Sequence, residues 1–440
     1  MLLSRLAALL LVLSVSIGQR VHWLVDGNPI NVFAIAFVAV AAILWARDSF
    51  VLHPAKQYRA VALNTVGPLL ALLIALPFFG VMTGWYNVTI LYGWMVVAVP
   101  LAILSLGRAA RLHGLRLDRV AFVLILAHGL YGLGQTLVRL GVVSESVWPA
   151  QQWDIAAQAA INEAYVVVGR STGLFLNANA FGFWSCGAVL VGAVMLVGWR
   201  RSLSVTLGIV GILGSQSRTA WVCLAMLLVI LGFVMLRHAR VGLRVLFAVV
   251  SGAPIALVTW MSGGFANLFE TSLVERLVSG VGVLSVGVEA DTNLAARVDS
   301  WSAAVEFAGQ YPLGTLGPPQ ALFGYSLDNQ FVSFFLQGGV LLVGAYVLAL
   351  FSPIVLARRG VPRAGALGVA AALFALTSFT MLPFESSASA VFWLLAGAAF
   401  STTPDAQTDR HTAAPSNGGV LSANAPAAGR SGTRKGLHAT

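Results

Sequence analysis

Gln330–Phe351 reads QFVSFFLQGGVLLVGAYVLALF, twenty-two residues without a single charge. At 1.5 Å of rise per residue, a helix of that length crosses the ~30 Å hydrocarbon core of a bilayer. A helix is also the form in which one segment satisfies its own backbone there. Outward from this run, comparable apolar segments recur near 2–19, 29–46, 61–82, 88–106, 120–138, 174–198, 202–217, 219–236, 245–261, 364–381 and 388–401, twelve in all with 330–351. The seventh and twelfth in chain order are the shortest. Composition agrees: 58% of the 440 residues are hydrophobic, 10% are charged, and mean hydropathy is +0.86. A soluble domain carries roughly 25% charged residues. These values exclude a soluble globular protein, a disordered chain and a disulfide scaffold. Cys186 and Cys223 fall inside apolar runs and read as small core residues.

The loops between these segments alternate in charge. One set carries Arg47, Lys56 and Arg59; Arg108, Arg111, Arg116 and Arg119; Arg200 and Arg201; Arg237, Arg240 and Arg244; and Arg358, Arg359 and Arg363. With Arg5 and the tail residues Arg410, Arg430, Arg434 and Lys435, that side holds twenty of the 26 basic residues, against only Asp48, Asp118, Asp405 and Asp409. The opposite side holds six arginines and the other twelve acids, so +16 faces −6 and the sum is the net +10. The positive-inside rule makes the first side cytoplasmic, with both termini inside. Only the tight turn at Arg218 runs against it. The basic residues sit in short inter-span loops, so the net charge is no sign of nucleic-acid binding. Trp23, Trp45, Trp85, Trp148, Trp153, Trp199 and Trp260 lie near predicted helix ends or in outer loops, as an interfacial aromatic belt places them. The expected fold is an all-α integral membrane protein of about twelve transmembrane helices over 1–401. A disordered cytoplasmic tail over 402–440, rich in Ala, Ser, Thr and Gly, completes it. Arg5 before an apolar stretch, with Ser16-x-Gly18 after it, also fits a cleaved signal peptide. The preferred reading keeps residues 2–19 as the first helix; cleavage would leave eleven spans.

Two outer loops are long, at about 139–173 and 262–329, and long loops tend to carry function. In the second, Leu268, Phe269, Leu273, Leu277 and Val281 recur at helical spacing and predict a helix lying on the membrane. A second helix is expected after Asn293, with Leu294, Val298, Trp301 and Val305 on one face. Tyr311-Pro-Leu-Gly-Thr-Leu-Gly-Pro-Pro319 must be irregular. It leads to Asp328-Asn329 at the mouth of the tenth span.

Six arginines stand on the outer side, where topology disfavours them: Arg20, Arg139, Arg170, Arg218, Arg276 and Arg297. Arg20, Arg139 and Arg276 read as snorkelling residues or partners of outer acids. Arg170, Arg218 and Arg297 have richer context, although each can equally be an interfacial ion pair. Arg170 opens Arg-Ser-Thr-Gly-Leu-Phe-Leu-Asn-Ala-Asn179, Arg218 ends Gly214-Ser-Gln-Ser-Arg218, and Arg297 lies one helical turn before Trp301. A guanidinium donates bidentately and keeps its charge in a partly dry site, so converging arginines suit an anionic headgroup such as a diphosphate. Asp328 is the leading acid, because a carboxylate at the start of an apolar span is costly unless it is paired or used. On position alone it can equally be the helix N-cap. Asn177 and Asn179, in an apolar segment, favour interhelical hydrogen bonding. His128, inside a span, reads as a packing residue. No Walker loop, dinucleotide fingerprint, nucleophile elbow, Asp-x-Asp pair or metal-ligand spacing is present, so neither cofactor nor metal is expected.

Three patches in this order resemble the O-antigen ligase/polymerase superfamily. They are Arg170-x-x-Gly173-x-Phe175-x-Asn177-x-Asn179; Ser215-x-Ser217-Arg218-x-Ala220; and Arg297-x-x-x-Trp301 with Pro312-Leu-Gly, Phe323-Gly, Asp328-Asn329 and Gly338-Gly339. The likeness covers roughly 165–345. It implies a GT-C-like transmembrane fold with a large periplasmic loop between spans 9 and 10, in the bacterial inner membrane. It also implies metal-independent, inverting transfer from an undecaprenyl-diphosphate-linked oligosaccharide on the periplasmic side. Carried over, Arg170, Arg218 and Arg297 would hold the diphosphate, and Asn177, Asn179 and Asn329 would line the substrate site. Catalysis would fall to Asp328 with Arg170 and Arg297. Ligases of this kind show His-Asn, or His with another small polar residue, where this chain has Asp328-Asn329. That departure favours a polymerase of exopolysaccharide or O-antigen repeats over a ligase acting on lipid A core. A chain-length regulator and a flippase are the expected partners besides membrane lipids. The rival from another class is a transporter or flippase of lipid-linked oligosaccharide. Such proteins place ionisable groups near the membrane midplane, whereas the acids here gather at the outer edge. A scaffold role is the third alternative, and it would leave the outer arginines free to vary.

Overall fold

The computed structural model describes residues 1–19, 23–25, 28–51, 67–88, 91, 98–139, 141–147, 170–175, 177–236, 292–311, 313–317, 327–357, 364–383 and 386–400. All lie in one compact unit, Met1–Thr402. The helices are α1 (Leu2–Val15), α2 (Val32–Val51), α3 (Gly67–Met82), α4 (Val99–His113), α5 (Leu117–Arg139), α6 (Ala178–Met195), α7 (Trp199–Ser215), α8 (Arg218–Leu236), α9 (Thr292–Ala308), α10 (Gln330–Ala357), α11 (Ala364–Thr377) and α12 (Ala390–Phe400). Each expected apolar segment meets a helix except 245–261, which lies outside the described residues, as do the helix expected at 268–281 and the tail 402–440. By length and composition, three helical segments among the described residues suffice to cross a membrane: Leu117–Val138, Ala178–Met195 and Gln330–Leu350. The other apolar helices, among them Arg218–Ile230 and Gly365–Thr377, are shorter.

The expectation of an all-helical chain needs one correction among the described residues. Strand β1 (Trp23–Val25) pairs antiparallel with β2 (Asn28–Ile30), Val25 opposite Asn28.

α6 is the hub, buried nearly all round from Phe181 to Gly192. It packs on α5, α7, α8, α11 and α12. Small residues allow this, since apolar chains gain little by leaving lipid for one another and close backbone approach must supply the attraction. A Cβ at Gly208 of α7 would stand 2.9 Å from the carbonyl oxygen of Ser185 and 2.7 Å from Val189 Cγ2. His128 is the packing residue its position suggests: fully buried, it donates from Nε2 to Val15 O at 3.0 Å and stacks on Phe175 at 4.3 Å. α1 is thereby joined to the bundle. Large apolar side chains such as Val229, Val340, Leu348 and Phe79 stay exposed, as a lipid-facing surface requires. The chain is a helical membrane protein.

α10 is not continuous. Gly338 (φ −140°, ψ 20°) and Gly339 (φ 60°, ψ −157°) break it. The carbonyls freed by the break are taken up by the Gly/Pro stretch: Leu336 O accepts from Thr315 N at 2.7 Å and Gln337 O from Leu316 N at 3.0 Å. Gly314, at φ 79°, lies so close to Gln337 that no side chain fits there. Irregular backbone inside a membrane protein is tolerated where it is satisfied in this way.

Candidate active site

Asn177 is the N-cap of α6, its Oδ1 accepting from Asn179 N at 2.7 Å. The segment before it, 170–175, is irregular, and three helices hold it. Gln135 of α5 accepts from both Thr172 N and Gly173 N at 2.9 Å and donates to Thr172 Oγ1 at 3.1 Å. Ser171 N donates to Gly214 O of α7 at 2.8 Å, and Ser171 Oγ meets Thr136 Oγ1 at 2.9 Å. Arg170 then donates from Nε to Ser215 O and from Nη2 to Asn179 Oδ1, both at 2.7 Å. It bridges the end of α7 to the start of α6. The polar side chains on α5 were not singled out by sequence; their only signal is an amide and a hydroxyl in an apolar helix.

The Gly214–Arg218 knot is two helix ends meeting. α7 stops at Ser215 because Gln216 takes a left-handed conformation, φ 49°. Ser217 Oγ accepts from Ala220 N at 3.4 Å, so Ser217 starts α8. Arg218 follows as the first residue of α8, exposed, where the helix dipole already favours an anion.

Arg297 and Trp301, one turn apart on α9, explain their own spacing. Trp301 Nε1 donates to Leu327 O at 2.7 Å. Arg297 Nη2 lies 3.3 Å from Asp328 Oδ2. Together they clamp the residues that enter α10. On α9, Val305 is 46% exposed, while Ala304 and Ala308 are buried against Leu327 and Leu336. Alanines let the two helices close up, and that rotates α9 so that Arg297 and Trp301 reach the 327–328 backbone.

Asp328 is not the helix cap. That place belongs to Asn329, 4% exposed, whose Oδ1 accepts from Phe331 N and Val332 N at 3.0 and 3.1 Å. Asp328 stands outside the helix at φ 47°, a conformation Asp tolerates better than most residues. The amide oxygens of Asn177 and Asn329 cap helices and that of Asn179 receives Arg170, because a helix start needs an acceptor for its free N–H groups.

Thr380, in the turn after α11, joins the patches. Its Oγ1 is 2.7 Å from Thr219 Oγ1, beside Arg218, and its carbonyl oxygen is 3.5 Å from Arg297 Nη1. Hydrogen bonds and short chain links thus run from Asn179 and Arg170 through Ser215 to Arg218 and Thr219, then through Thr380 to Arg297 and Asp328. No sequence pattern pointed to Thr219 or Thr380. Below this end of the bundle, α10, α11 and α12 form a half-open apolar groove lined by Tyr346, Leu367, Phe374, Phe392 and Trp393. On α10, Gln337 is fully buried and its amide has no hydrogen-bond partner among the described residues. Among the described residues, no three His, Cys, Asp or Glu side chains gather around a common point.

No curated protein matches the chain. Residues 203–347 match the family model described as O-antigen ligase, a segment running from α7 into α10 that contains Arg218, Arg297 and Asp328. Arg170, Asn177 and Asn179 precede it. Through that segment, the chain resembles the O-antigen ligase/polymerase superfamily, whose members are glycosyltransferase-like enzymes.

Proposed function

We propose that the protein polymerises undecaprenyl-diphosphate-linked oligosaccharide repeat units, as an exopolysaccharide or O-antigen polymerase on the periplasmic face of the inner membrane. The observation that carries this reading is the linkage of Arg170, Arg218, Arg297 and Asp328 at one end of the bundle. In this reading Arg218 and Arg297 face the donor diphosphate. Arg170, which bridges Ser215 and Asn179, contributes its positive charge to holding the same anion. The groove below would hold the polyprenyl chain. An acceptor hydroxyl attacks the anomeric carbon on the face opposite the diphosphate, which gives inversion. The bond to the diphosphate oxygen breaks as the new glycosidic bond forms. Negative charge grows on the leaving diphosphate, and guanidinium groups already aimed at it stabilise that charge without a metal. Asp328 takes or orients the hydroxyl proton. Both termini lie in the cytoplasm in this topology, and a flippase and a chain-length regulator act before and beside the enzyme.

The O-antigen ligase description of the matched family favours a second reading, transfer of the finished glycan to lipid A core. The broken α10 favours a third, transport of the lipid-linked glycan, since broken helices line transporter sites. Surface polysaccharide and carrier lipid from a deletion strain, complemented with wild type or with Asp328→Ala, separate the three. A polymerase leaves single repeats on carrier or core, and Asp328→Ala does not restore the ladder. Full-length chains accumulating on carrier would sink the polymerase reading in favour of a ligase, and repeats trapped on the cytoplasmic side would indicate a flippase.

A further inference from the structure

Residues 378–381 form a turn beyond the segment matched by the family model, which ends at residue 347. Three helices meet on this turn. Ser378 O accepts from Gln330 N at 2.8 Å, which fixes the first residue of α10, two positions after Asp328. Thr380 Oγ1 is 2.7 Å from Thr219 Oγ1, which fixes the first turn of α8 beside Arg218. Thr380 O is 3.5 Å from Arg297 Nη1 of α9. The turn is itself held. Thr380 N and Met381 N both donate to Thr377 O at 3.0 Å. Ser378 Oγ donates to Phe374 O and meets the Tyr346 hydroxyl of α10, both at 2.6 Å. Thr377 and Ser378 are fully buried, so these bonds have no water to compete with them. Thr380 therefore serves two helices at once. Its hydroxyl ties down the start of α8, and its carbonyl faces the guanidinium carried by α9.

We propose that Thr380 is a positioning residue that fixes the separation of Arg218 and Arg297, and that this separation makes the site select a diphosphate over a single phosphate. The proposal rests on the diphosphate reading above. A guanidinium is a planar fork on a flexible stem, and ordering such a stem costs entropy on binding. Anchoring the helix under one arginine and the head of the other on the same residue lowers that cost for the two cations together. A diphosphate has two linked phosphoryl groups and engages both arginines at a set spacing. A single phosphate gains little from the spacing. Freeing α8 from the turn leaves each arginine its charge and removes only the register between them. The loss then falls on the ligand that needs both.

The test measures binding of undecaprenyl diphosphate and of undecaprenyl monophosphate to the full-length protein in detergent. Wild type is compared with Thr380→Val, Thr380→Ser, Thr219→Val and the double valine variant. Wild type should prefer the diphosphate. Valine keeps the shape of threonine and the carbonyl that faces Arg297, and deletes only the hydroxyl. Thr380→Val should lower the diphosphate-to-monophosphate affinity ratio about three- to tenfold, the effect of one lost hydrogen bond. Monophosphate affinity should change less than about twofold, because that ligand does not need the register. Thr219→Val should act alike, and the double variant should lose no more than either single one, since both delete the same bond. Thr219→Val carries the test if Thr380→Val does not fold. Thr380→Ser restores the hydroxyl and should keep the wild-type ratio. Equal weakening of both ligands would mean a merely structural role and would overturn the proposal. An unchanged ratio in both valine variants would overturn it too. Wild type binding the two probes alike would end the proposal and leave the diphosphate reading standing. Wild type binding neither probe would sink that reading and the proposal with it.

Discussion

Trp301→Phe keeps an aromatic ring on α9 and deletes one hydrogen bond, the 2.7 Å donation from Nε1 to Leu327 O. Leu327 is 2% exposed, so its carbonyl would lose a partner in a nearly dry place. That costs about 1–3 kcal/mol. The bond also supports its neighbour, since Asp328 sits at φ 47°. The left-handed conformation costs roughly 1–2 kcal/mol for an L residue, somewhat less for Asp. The two quantities are of similar size, so without the indole the backbone at 328 is free to relax to negative φ and carry the carboxylate away from the site. A displacement near 1 Å can cost about 100-fold in rate. The expected result is a 10- to 100-fold fall in the rate of chain elongation by purified protein on lipid-linked repeats. Binding of undecaprenyl diphosphate should change less than threefold. Trp301→Phe at full rate, or a loss confined to donor affinity, would refute the clamp.

Gln135→Leu should remove the acceptor shared by Thr172 N and Gly173 N, lower stability by about 2–4 kcal/mol in detergent unfolding, and weaken diphosphate binding by misplacing Arg170. Unchanged stability would argue against the strap. Gly208→Ala should place a methyl against the backbone of Ser185 and cost about 1–3 kcal/mol through separation of α6 and α7, read as a lower melting temperature. Gln337→Met should raise stability by about 1–3 kcal/mol, because a buried amide with no hydrogen-bond partner among the described residues is replaced by an apolar chain of similar shape. A fall in stability would show that the amide serves a polar partner.

Most helices were legible because apolar length is a local property: Leu2–Val15, Ala178–Met195 and Gln330–Ala357 follow their own composition. The hairpin at Trp23–Ile30 was less so, since short strands flanked by apolar helices leave no periodicity of their own. Arg170, Arg218 and Arg297 stood out as outer arginines, against the charge pattern. The side chains that hold them, Gln135, Thr219 and Thr380, are polar residues of ordinary kind in apolar helices and turns, and nothing local distinguishes them from packing residues.

The sequence by itself determined that the chain is a helical membrane protein, where most of its helices lie, and which charges are out of place, because hydropathy and charge are summed along the chain. The tertiary structure decided which asparagine caps α10, which face of α9 is buried, how the break in α10 is satisfied, and that Thr380 joins Thr219 to Arg297. Each of these depends on atoms that meet only when distant segments pack. Hydrogen-bond partners and helix rotation are set by three-dimensional neighbours, which no window along the chain contains.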